Sequence, residues 1–118
     1  MKNTYPRHEK LKQKKEIALL FEKGKWKSCG RLRIISSSVS DGEQGKFAVS
    51  VSKRYFKKSV DRNRIKRLMR ECYRLHKDEF YAVFGSSSHN MMFWTSPTKP
   101  NSLTEVEEEF RKLCLPKK

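Results

Sequence analysis

The sequence predicts an α+β fold, one small domain running helix, strands, helix, strand, helix. Three observations carry this. Apolar residues recur at helical spacing over residues 9–23, from 59 to near 84, and from 103 onward. Between them, Phe47, Val49 and Val51 alternate with Lys46, Ala48, Ser50 and Ser52, the two-residue period of a strand. No repeat or composition break divides the 118 residues, a length that suits a single modest core over residues 1–118. Residues 1–7 and 116–118 are the candidates for disorder. Helices layered on a small sheet satisfy this pattern.

In the first helix Leu11, Ile17, Ala18, Leu20 and Phe21 gather on one side, and Gly24 suits a left-handed C-cap. Residues 25–27 suggest a short edge strand and 31–35 a longer one. Asp41-Gly42 is a hairpin signal, with 46–52 as the return strand. A basic loop over 53–58 leads to the second helix, where Ser59 suits the N-cap and Asp61 complements the helix dipole. That helix runs to about Phe84, before Gly85 and three serines. Residues 90–95 suggest a short buried strand, and Pro97 and Pro100 mark a loop. Ser102-Leu103-Thr104-Glu105 has the form of a capping box. Leu103, Val106, Phe110 and Leu113 then give the last helix its inner face.

The charge is large and uneven. There are 28 Lys and Arg against 13 Asp and Glu, a net +15. Residues 1–33 hold 11 basic and 3 acidic side chains, and residues 53–77 hold 11 and 2. In the second helix, at about 100° per residue, Ile65, Leu68, Met69, Cys72 and Leu75 fall within one arc. Arg62, Lys66, Arg67, Arg70, Arg74 and Lys77 fall opposite. A core face backed by a cationic face suits a polyphosphate partner.

Other classes find less support. Cys29, Cys72 and Cys114 are far apart and without Cys-x-x-Cys, as expected of reduced thiols. His8, His76 and His89 lack metal-ligand spacing, so neither a metal site nor a catalytic residue is expected. Glu105, Glu107, Glu108 and Glu109 read as a solvated helix face. With no membrane-length apolar run and no secretory h-region, a cytoplasmic protein is expected.

The run from Arg62 to Glu71 resembles the arginine-rich helix of the bacterial ribonuclease P protein subunit, R-N-R-x-K-R-x-x-R-E, at every specified position. Residues Val49 to Arg54 resemble that family's strand ending in V-x-K-K. Lys57 and Lys58 fit the longer of its loop variants, and Leu11, Phe21 and Gly24 fall in register. The resemblance covers roughly residues 10–115. It implies a left-handed βαβ crossover, an exception to the usual hand. It also implies that a large RNA, with its own magnesium ions, is the catalyst. The chain itself would bind no cofactor. It would help that RNA hold precursor tRNA while one phosphodiester is hydrolysed and the 5′ leader removed. The enzyme is then the holoenzyme, an endoribonuclease.

By the same resemblance, Lys53, Arg54, Lys57, Lys58, Arg62, Asn63, Arg64, Lys66, Arg67, Arg70 and Arg74 contact RNA. Guanidinium groups grip phosphate bidentately, whereas Lys66 acts as a point charge. Bracing the fold is the alternative for Arg64, holding the helix start the alternative for Asn63, and Glu71 is expected to orient an arginine. The single-stranded leader would lie in a cleft between the sheet and the first two helices. Its candidates are Ile17, Phe21, Ile35, Phe47, Ser50 and Ser52. Ile17 and Ile35 stand where some members of the family carry an aromatic. Phe21 could equally serve the core.

A ribosomal or other structured-RNA binding protein is the main alternative. A DNA reader would want Asn or Gln for base edges, and the cationic face offers few. A self-contained nuclease would depend on Glu105 or Glu109. Neither DNA nor membrane is an expected partner.

Overall fold

The computed structural model describes residues 9–39, 45–85 and 87–114. The Asp41-Gly42 turn and the expected disorder at 1–7 and 116–118 lie outside them. The elements are α1 (Lys14–Lys23), β1 (Lys25–Cys29), β2 (Leu32–Ser38), β3 (Lys46–Val51), α2 (Ser59–Leu75), α3 (Lys77–Phe84), β4 (Ser88–Trp94) and α4 (Leu103–Cys114).

The sheet order is β1-β2-β4-β3. β1 and β4 each run antiparallel to β2, and β3 runs parallel to β4. The expected hairpin between β2 and β3 is therefore absent, because β4 lies between them. The reason lies in residues 91–94, Met-Met-Phe-Trp, which are apolar on both faces. A strand with no polar face belongs at the centre of a sheet. The α2–α3 connection supplies the crossover that a parallel pair requires. The tight hairpin joins β1 to β2 instead, with Gly30 at φ 57°. A side chain at Gly30 would place its Cβ 2.2 Å from Glu109 Oε1.

One sheet face carries the main core. Leu32, Ile34, Phe47, Val51, Met92 and Trp94 are buried there against Ile65, Met69, Cys72, Tyr73, Phe80, Val106, Phe110 and Leu113. Phe47 stacks on Tyr73 with ring centres 3.9 Å apart, and Phe80 meets Phe47 edge-on at 5.4 Å. Each large apolar side chain buried in this way contributes ~1.5–3 kcal/mol. On the other face, α1 covers only part of the sheet, through Leu20 and, ahead of the helix, Leu11 over Ile35.

Several local expectations need correction. The first helix begins at Lys14, because residues 10–11 run alongside β3 and the Leu11 N–H donates to Phe47 O at 3.1 Å. Glu9 fixes this segment by accepting from the Tyr73 hydroxyl at 3.0 Å and pairing with Lys77 at 2.7 Å. Gly24 is extended, at φ −72° and ψ 159°. Close approach explains the glycine, since a Cβ would lie 2.5 Å from Leu20 O and 2.6 Å from Ile35 Cγ1. Lys58, not Ser59, is the N-cap of α2. The long helix divides at His76, whose Nε2 lies 2.7 Å from Glu107 Oε2 on α4.

On α2, Leu68 is half-buried and Leu75 exposed, while Tyr73 joins the core. The Glu105 carboxylate accepts from the Asn101 N–H at 2.9 Å, so it caps one residue earlier than the Ser102 box implies. The acidic face of α4 is not uniformly solvated either. Glu109 is buried and accepts from Arg31 Nε at 2.8 Å. Burial opposes ionisation of Glu109, but the hydrogen bonds and charge of Arg31 outweigh it and hold the carboxyl below its usual range.

Candidate RNA interface

Two surfaces meet at the β3 edge of the sheet. The first is the basic loop and the outer side of α2. Lys53, Arg54, Lys57, Lys58, Arg67 and Arg70 are exposed and Lys66 is half-exposed. Among the described residues, none of these seven side chains pairs with a carboxylate. Phe56 is buried and anchors the loop, and Ser52 O accepts from the Tyr55 and Phe56 amides at 3.2 Å. Unneutralised charge held on a rigid helix is suited to phosphate.

Other positions of the arginine-rich run are committed to the fold. Arg62 Nη1 donates to Phe56 O at 2.8 Å and to Lys57 O at 2.9 Å, which fastens the loop to the helix. Arg64 donates to Pro100 O at 3.1 Å and Asn101 O at 3.0 Å, tying α2 to the loop before α4. Arg74 pairs with Glu71. Asn63 is exposed, and no side-chain bond from it holds the helix start among the described residues.

The second surface is the sheet face that α1 leaves open. Residues paired across the ladders share a face. Trp26, Ile35, Met91 and Ala48 form one such row, and Arg33, Phe93 and Ser50 sit in the next. A groove of about 430 Å³ at the β3 edge is lined by Lys10, Leu11, Lys12, Ala48, Val49 and Arg70. Arg70 thus belongs to both surfaces.

The leader-cleft candidates divide on this geometry. Phe47 points to the opposite face and is fully buried under Tyr73, because its parity along β3 is that of Val51. Ile35 faces the cleft side but is sealed beneath α1, and Ile17 packs against that same cluster. Ser50 lies on the open face. Ser52 lies past the strand end, where its hydroxyl accepts the Arg54 N–H at 3.0 Å. Phe21 is 46% exposed and so is not a core residue.

Around Phe21 the fold assembles an aromatic platform that sequence reasoning missed. Trp26 lies 6.0 Å from Phe21 and 5.4 Å from Phe93, and Phe21 lies 6.2 Å from Phe93, between ring centres. Trp26 is 42% exposed, and the Arg33 guanidinium stands 4.1 Å from its ring centre. Three rings and a guanidinium plane on an open sheet form a surface on which an unpaired base can stack. The available signal was the double-faced pattern of residues 91–94, which requires a second set of partners for Phe93.

A sequence model of the family described as Ribonuclease P matches residues 5–117. The chain belongs to that family. The ribonuclease P protein component of Chlorobaculum tepidum is 40% identical over 81 residues, covering 64% of this chain and 53% of that one. The component from Alkaliphilus metalliredigens is 31% identical over 101 residues and 85% of each chain. In several of these alignments the chain spans little more than half the length of the ribonuclease P relative it matches. The fold matches the Staphylococcus aureus RNase P protein with a TM-score of 0.73 at 18% identity, over 89% of this chain and 91% of that one.

Proposed function

We propose that this chain is the protein subunit of a ribonuclease P holoenzyme. Its loop and α2 bind a catalytic RNA, and its open sheet face holds the single-stranded 5′ leader of precursor tRNA. The observation that carries this reading is the adjacency of two surfaces through Arg70. One is a loop and helix face whose seven exposed or half-exposed lysines and arginines pair with no carboxylate among the described residues. The other is an aromatic, partly polar sheet face.

The roles follow from side-chain chemistry. Lys53, Arg54, Lys57, Lys58, Lys66, Arg67 and Arg70 neutralise RNA phosphates and release counterions. Arg62 and Arg64 position the loop and helix that present them. Phe21, Trp26 and Phe93 offer stacking at ~1–3 kcal/mol per base, and Ser50 adds an adaptable hydrogen bond. The chain's own part is to bind and orient. The hydrolysis, with its magnesium ions, belongs to the RNA.

The test compares affinity for precursor tRNA and for leaderless tRNA, using the catalytic RNA alone and the RNA with this chain. The reading expects the protein to raise affinity for the precursor selectively. Equal effects on both tRNAs would favour a general structured-RNA binder.

A further inference from the structure

The charge excess of residues 1–33 is only partly used by the surfaces above. Some of it gathers at the opposite edge of the sheet, where β1 is the outermost strand among the described residues. Lys23 at the end of α1, with Lys25 and Lys27 on β1, lines a groove of about 530 Å³. Ser36, Ser37 and Ser38 also line it, and Trp26 and Phe84 give it apolar walls. Lys27 Nζ lies 5.7 Å from the Phe84 ring centre. No carboxylate lines the groove, and the three lysines form no ion pair among the described residues.

Trp26 lines the groove and also belongs to the aromatic platform. Lys25 and Lys27, paired with Ser36 and Ile34, share the opposite sheet face, so the groove lies around the β1 edge from the platform. A strand crossing the open face from the α2 side would meet Ser50 and Phe93, then Arg33 and Trp26, and would reach the lysines by rounding the β1 edge. We infer that this groove binds the phosphodiester backbone of single-stranded RNA, namely leader nucleotides lying beyond the platform. Ammonium groups are point charges without a fixed fork, so the groove adds affinity with little base preference. The inference rests on the leader reading proposed above.

The experiment measures equilibrium binding of precursor tRNAs whose leaders lengthen one nucleotide at a time. The receptor is the complex of catalytic RNA with this chain, under conditions that block cleavage. Wild-type affinity should rise as the leader covers the platform and rise again when it reaches the β1 edge. The combined Lys23→Ala, Lys25→Ala and Lys27→Ala variant should keep the first rise and lose the second. Its salt slope for long leaders should fall by about two, as expected for lost single-strand phosphate contacts. Lys25→Glu alone should diminish the same second rise, and Lys-to-Arg replacement at all three positions should restore it.

A wild-type length profile in the alanine variant would overturn the inference. So would an equal loss at every length, which would place the lysines on the catalytic RNA or the tRNA body. A wild-type complex indifferent to leader length would overturn the leader reading itself, and the groove with it.

Discussion

Arg33 holds its guanidinium 4.1 Å from the centre of the Trp26 ring, one strand away across the β1–β2 ladder. The contact packs a guanidinium on a large indole that is 42% exposed. Trp26→Ala should weaken precursor binding by ~1–3 kcal/mol, the cost of one lost stack. Leaderless tRNA should bind as before. Equal affinity of variant and wild type for the precursor, measured by titration, would remove Trp26 from the interface.

Arg67 and Arg70 differ from Arg64 although all three lie in one charged run. Arg67→Ala and Arg70→Ala should each lower affinity for the catalytic RNA and reduce the salt slope by about one. Their thermal midpoints should stay at the wild-type value. Arg64→Ala breaks bonds to Pro100 O and Asn101 O and should lower the midpoint. A stable Arg64→Ala protein beside unstable Arg67 and Arg70 variants would reverse the assignment.

Core truncations on α2 should scale with burial. Ile65→Ala should cost ~2–5 kcal/mol, and half-buried Leu68→Ala nearer ~1–2 kcal/mol, in denaturant unfolding. A larger loss at Leu68 would mean that the helix is rotated about its axis.

Glu109 should give the fold an acid-side dependence. Its carboxyl, with an ordinary value of 4.5, is held lower in the fold by Arg31 despite burial. The unfolded chain therefore takes up the proton first as pH falls. The stabilisation is complete above the ordinary carboxylate range and is lost as pH drops through the lower folded value. Glu109→Gln should be less stable at neutral pH and should lose this component of the slope, read from unfolding midpoints across pH. A variant with the wild-type slope would assign the acid sensitivity to another group.

The parts of the fold legible in the sequence were those set by local periodicity. The second helix was readable because Ile65, Met69 and Cys72 keep helical spacing inside a charged run, and β3 was readable from strict alternation. Strand order was not, because Asp41-Gly42 is a local signal and the insertion of β4 is decided by burial of both its faces. Phe47 and Phe93 show the same limit within the site. Their two faces are fixed by register against β4 and β2, and only pairing reveals which face α1 leaves open. The Arg31–Glu109 pair joins residues 78 apart in sequence, so its burial leaves no local trace. The division of arginines into phosphate-facing and bracing groups likewise depended on where Pro100 and Phe56 lie in space.

The most direct measurement is cleavage of a 5′-extended precursor tRNA by the matching catalytic RNA at limiting magnesium, with and without this chain. RNA-free and catalytically dead RNA reactions run beside it. The account predicts that the protein restores correct cleavage only when active RNA is present. Failure of a folded protein to restore it, or cleavage in the RNA-free reaction, would contradict the account.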